Sequence, residues 1–141
     1  MINDFFATLY QYLTDLLCQN LDFTPQLYDN FIFEEIGVKM VSFSLIWMFI
    51  YYYGVSNYGN LYSLKKWLVW VLIICIINFM VCYYFTEYDI YLIFKPQESP
   101  FSFWSEYFPF AMVNVFWTII FCFAFSLVLK IKSTRASKTP F

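Results

Sequence analysis

Ser42, Ser44, Asn78 and Asn114 are polar side chains set within long, mostly apolar runs of this sequence. At membrane depth such groups either link helices by hydrogen bonds or line a wet cavity or an ion path. Counting along each run at the helical rise puts all four roughly 9–12 Å below the same boundary. No ionisable residue shares that depth, and moving charge across a bilayer usually requires one. The expected role is therefore interhelical hydrogen bonding, at about 0.6 kcal/mol per contact.

Other reactive groups are sparse. Glu34 and Glu35 are adjacent carboxylates, the residue type that serves glycoside chemistry. Sequence neighbours on a helix do not face each other, whereas Glu35 and Lys39 are spaced for an i,i+4 ion pair. There is no histidine from which to build a nucleophile–base pair. Three glycines offer no phosphate loop. Cys18, Cys75, Cys82 and Cys122 lack Cys-x-x-Cys spacing, so neither a zinc site nor a disulfide framework is expected. No cofactor and no catalytic residue are predicted.

The elements that position these groups follow from composition. Of 141 residues, 62% are hydrophobic and 13% charged, against about a quarter charged in a soluble domain. A domain this small could not hide so much apolar surface from water. Three continuous runs, at about 36–55, 67–85 and 108–129, each reach the roughly 20 residues needed to cross a bilayer as helix. Strand-like alternation is absent from them, so a barrel is excluded. The predicted fold class is an all-α integral membrane protein with three transmembrane helices and an N-terminal extracytoplasmic amphipathic helix. Three regions result: an arm over 1–35, a bundle over 36–129 and a basic tail over 130–141.

Charge predicts orientation. Lys65 and Lys66 sit in the first connector, and Lys130, Lys132, Arg135 and Lys138 in the tail, with no acid in either. Asp4, Asp15, Asp22, Asp29, Glu34 and Glu35 precede Lys39, and the second connector is acidic. Basic connectors stay cytoplasmic, so the N-terminus is expected outside and the C-terminus inside, in a bacterial inner membrane. Tyr51, Tyr52, Tyr53, Trp67 and Trp70 are expected as an inner aromatic belt. Tyr83, Tyr84, Trp104 and Tyr107 form its outer counterpart. Trp47 and Trp117 fall nearer mid-span.

Residues 3–21 read as an amphipathic helix closed by Thr24 and Pro25. Phe5, Phe6, Leu9, Leu13, Leu16, Leu17 and Leu21 recur at helical spacing, opposite Asp4, Thr8, Gln11, Asp15 and Gln19. A helix that seeks lipid normally carries Lys and Arg on its polar face. The acidic face here predicts docking on protein: another membrane subunit, a second copy, or the chain's own outer connector. Dispersed basic residues predict no nucleic-acid partner. The expected function is a non-enzymatic anchor or scaffold subunit of a larger envelope machine for secretion, injection or transport. The alternative is a self-assembling pore, since three spans with the N-terminus out and a short basic tail resemble one class of phage holins in topology. The long arm and bulky aromatic spans depart from that pattern.

Overall fold

The computed structural model describes residues 1–20, 22–55, 63–94 and 104–130. Leu21, the Pro-rich second connector and the tail beyond Lys130 lie outside the described residues, as does the side chain of Trp104. Among the described residues five α-helices occur: α1 (Ile2–Leu17), α2 (Phe23–Asp29), α3 (Ile32–Phe49), α4 (Leu64–Phe94) and α5 (Trp104–Lys130). A π-helical turn, Ile50–Val55, prolongs α3. No strand occurs among the described residues.

Three of these segments are long and apolar enough to cross a membrane: Ile32–Val55, Leu64–Ile93 and Ser105–Leu129, with mean hydropathies of 1.4, 2.4 and 2.3. Within an 18-residue apolar stretch of each, only 22–39% is buried by the rest of the protein. Their remaining surface is Leu, Ile, Val and Phe, exposed side by side. Such a surface is stable only where the surroundings are themselves apolar, and a helix meets the other requirement of lipid by satisfying its own backbone. The chain is a membrane-embedded all-α protein.

The helices overrun the expected spans. α4 continues past Phe85 to Phe94 because residues 86–94 hold neither Pro nor Gly, and the first breaker is Pro96. Glu87 and Asp89, expected in a connector, therefore ride on a helical extension. At 1.5 Å per residue the 30-residue Leu64–Ile93 segment is about 45 Å long, well beyond a hydrocarbon core of about 30 Å.

α1 also differs from expectation. It stops at Leu17, with Cys18 in extended backbone. Past Leu17 the backbone amides turn to side-chain acceptors: Glu106 Oε2 on α5 takes the Gln19 N–H at 2.9 Å, and the local Asn20 Oδ1 takes the Asp22 N–H at 3.0 Å. Thr24 and Pro25 do not end a helix but open α2, where a proline in the first turn forfeits no hydrogen bond. A tight turn at Phe31, in left-handed backbone (φ 59°), redirects the chain into α3.

Two apolar clusters fill the bundle. One, around Phe33, Ile36, Met40, Cys82, Ile90 and Phe110, includes Phe6, Tyr10, Phe23 and Leu27 from α1 and α2. The other lies toward Lys65 and joins Met48, Tyr51, Tyr52, Trp67, Val71 and Cys122. Tyr51, Tyr52 and Trp67 are thus interior residues rather than a headgroup belt. The wider π turn carries the two tyrosines inward, and Trp67 Nε1 donates to Ser126 Oγ at 3.0 Å. Within the arm, α1 packs on α3 and α5.

Candidate functional site

Between the two clusters lies a polar layer. α3 contributes Ser44, α4 Asn78, and α5 Asn114 and Thr118; all four are at most 1% exposed. Asn78 Nδ2 donates to Ser44 Oγ at 3.1 Å and to Thr118 Oγ1 at 3.2 Å, tying three helices at one level. Asn114 Nδ2 donates to the Asn78 backbone carbonyl at 3.0 Å. The Thr118 hydroxyl, in turn, donates to the Asn114 carbonyl one turn back, at 2.8 Å. Asn78 Oδ1 is buried without a hydrogen-bond partner.

The layer extends to the N-terminal helix. Tyr10 donates its hydroxyl to Asn114 Oδ1 at 2.6 Å, while its ring stacks on Phe33 at 6.0 Å and lies 5.7 Å from Phe110. Burial holds the Tyr10 phenol well above its ordinary pKa, so it stays a proton donor. Ser44, Asn78 and Asn114, expected at one depth, meet in the structure. Ser42 does not join them. It is exposed, because two residues on a helix are about 200° apart and cannot share a face. Thr118 and Tyr10 were missed. Thr118 carried the available signal, being one turn beyond Asn114; Tyr10 is 104 residues away and carried none.

Seating of α1 is specific. Asn3, Phe6, Ala7, Tyr10 and Thr14 form its buried face. Of the expected docking residues, Phe6 is buried, Leu9 and Leu13 are half-buried against the core, and Phe5, Leu16 and Leu17 are exposed. Trp117 Nε1 donates to the Leu9 carbonyl at 2.9 Å. Phe6 lies against Gly37, where an added Cβ would fall inside its ring. The chain's own bundle thus covers Phe6 and part of Leu9 and Leu13, and leaves Phe5, Leu16 and Leu17 open.

Glu106, buried in the first turn of α5, clamps the far end of α1. Its two carboxyl oxygens accept from Gln19 N–H and Ser105 Oγ, and its carbonyl from the Cys18 thiol at 3.8 Å. Truncating Glu106 to Ala is expected to raise hydrogen exchange at the Gln19 amide about tenfold or more, the consequence of losing an acceptor worth about 1–3 kcal/mol. Glu106→Gln retains one acceptor oxygen and should fall between Ala and wild type.

Burial, reinforced by Glu106, pushes the Cys18 thiol from an ordinary value of 9.0 up to about 12. Because the thiolate is the nucleophile, water-soluble alkylating reagents are expected to spare Cys18 at pH 8 and to reach it once α1 is released. A raised folded-state value means this burial contributes fully below the ordinary thiol value. The contribution declines as pH rises from there toward 12.

A charged seam joins α3 and α4 at the same end. Lys39 pairs with Glu35, as the i,i+4 spacing predicted, and its ammonium sits 3.4 Å from the centroid of the Phe85 ring. Glu34 and Glu35 share the first turn of α3, with Glu35 engaged by Lys39. No group of three His, Cys, Asp or Glu side chains converges among the described residues. Compared with known protein families, with curated proteins and with solved structures, the chain matches none. Its function has to be argued from its own residues.

Proposed function

We propose that this protein is a non-enzymatic membrane subunit, an anchor or scaffold within a larger assembly of a bacterial envelope. The observation that supports the reading is the direction of its polar groups. Ser44, Asn78, Asn114, Thr118 and Tyr10 are turned inward and occupied with one another. The side chains suited to chemistry are thus engaged in holding helices in register, the role expected of buried polar contacts in a bilayer. A pore is disfavoured by the same fact, because a self-assembled ring needs a polar face on its protomers. Here the outward faces of α4 and α5 are lined by residues such as Leu68, Leu72, Ile76, Phe116 and Ile120.

Orientation belongs to the same proposal. Acidic Asp15 and Asp29 lie at the α1 end and exposed Lys65 and Lys66 at the opposite end, consistent with the N-terminus outside and the Lys65 end cytoplasmic. The deciding experiment is gentle solubilisation of the tagged protein from its native membrane, with mass spectrometry of what co-purifies. Stoichiometric membrane-protein companions are expected. A monodisperse monomer without companions would sink the subunit reading, and a ring of identical chains would favour the pore.

A further inference from the structure

α1 has three faces, not two. Apart from the buried one, Ile2, Phe5, Leu9 and Leu16 recur at i, i+3, i+7 and i+14 along one flank, and Asp4, Thr8, Gln11 and Asp15 at i, i+4, i+7 and i+11 along the other. Their surroundings differ as well. The polar flank faces α2: Tyr28 donates its hydroxyl to Asp4 Oδ1 at 2.8 Å, and Gln11 and Asp15 share an open groove with Thr24, Pro25, Tyr28 and Asp29. The apolar flank lies on the side of Trp117, whose indole meets the Leu9 carbonyl and whose neighbour Phe116 is exposed on α5. Trp117 belongs to the membrane-crossing Ser105–Leu129 segment. One flank of α1 therefore looks toward the membrane-crossing surface of the bundle and the other away from it.

We infer that α1 is an interfacial helix, clamped to its own bundle on one face and sinking Ile2, Phe5, Leu9 and Leu16 into the acyl-chain boundary of the lipid beside α5. Phe5 and Leu16 are 55% and 68% exposed, and Leu9 on the same flank meets Trp117, the neighbour of exposed Phe116 on α5. Lipid fits without further structure: a single helix presenting an apolar edge on one side and carboxylates on the other matches the polarity step at a headgroup boundary. Residues 1–38 contain six acids and no Lys or Arg. Attachment is consequently driven by apolar burial held in place by the bundle, with no attraction to anionic headgroups.

The test reconstitutes the full chain in phosphatidylcholine nanodiscs doped with a lipid carrying a photoactivated carbene precursor on its acyl chain, followed by mass-spectrometric mapping. Label is expected on Phe5 and Leu16, as on Phe116 and Ile120, and not on Asp15 or α2. Replacing part of the phosphatidylcholine by phosphatidylglycerol should leave the pattern unchanged. The double variant Phe5→Ser, Leu16→Ser alters no buried side chain and is expected to lose the α1 label while Cys18 stays protected. Label on α5 with none on Phe5 or Leu16 of the wild type overturns the inference. So does capture of a protein instead of lipid by a photo-crosslinking amino acid at Leu16 in the native membrane. Should the double variant expose Cys18, the wild-type pattern alone decides.

Discussion

Asn114→Leu is expected to destabilise the protein by about 2–4 kcal/mol, the largest loss from any single polar residue of the layer. Two interhelical contacts disappear, worth about 1 kcal/mol together. The larger share comes from Tyr10, fully buried, whose hydroxyl would be left without its acceptor at about 1–3 kcal/mol. Adding Tyr10→Phe removes the stranded hydroxyl, so the double variant should recover about 1–2 kcal/mol relative to Asn114→Leu alone. Asn78→Leu should be milder, with a loss below about 1 kcal/mol. It forfeits two donor bonds but also removes Oδ1, which is buried with no partner. Unfolding in mixed detergent–lipid micelles, followed by tryptophan fluorescence, would give the order. A larger loss at Asn78 than at Asn114 would mean that Oδ1 has a partner such as a bound water, and that Asn78 is the hub.

The second large effect is expected at Gly37. It needs no unusual backbone angle; its role is close approach, because Phe6 occupies the space a side chain would fill. Gly37→Val should displace Phe6 and cost about 2–3 kcal/mol, combining overpacking with the lost burial of one aromatic ring. The spans would persist, since α3, α4 and α5 contact one another independently of this notch. α1 would not. Its amides should lose exchange protection, and Cys18 should become open to alkylation at pH 8. The pair Phe6→Ala with Gly37→Ala should lose less than the sum of the two single losses, because the smaller side chain makes room for the new methyl. If Gly37→Val leaves Cys18 protected, α1 is held by its Glu106 end and the Trp117 hydrogen bond, and the Gly37 notch is dispensable.

Much of the architecture is legible in the residues. Continuous apolar runs with almost no charge have one stable form in lipid, a spanning helix, because each backbone amide must find its partner within the segment. That requirement is local, so it can be read locally. The shared depth of Ser44, Asn78 and Asn114 was readable for the same reason: antiparallel spans of known rise set depth by counting. Counting does not set rotation about the helix axis. It could not decide between Ser42 and Ser44, nor show that Tyr51, Tyr52 and Trp67 turn inward. Spans this uniformly apolar carry little directional signal along their own sequence, and the neighbours of each face are chosen by packing.

The arm marks the same boundary between local and non-local information. Its spacing declared a helix with an apolar side and an acidic side. Tertiary structure divided the apolar side in two, a buried face through Phe6 and Tyr10 and an exposed flank through Phe5 and Leu16. The residues responsible, Gly37, Glu106, Asn114 and Trp117, lie on other helices and up to 108 positions away. Membrane embedding and the number of spanning helices thus belonged to the sequence by itself, since each rests on the transfer of one segment at a time between water and lipid. Which faces pair, which polar atoms meet and where α1 is seated were decided only in the assembled fold. Those choices depend on complementary shape and on hydrogen-bond partners that no single segment contains.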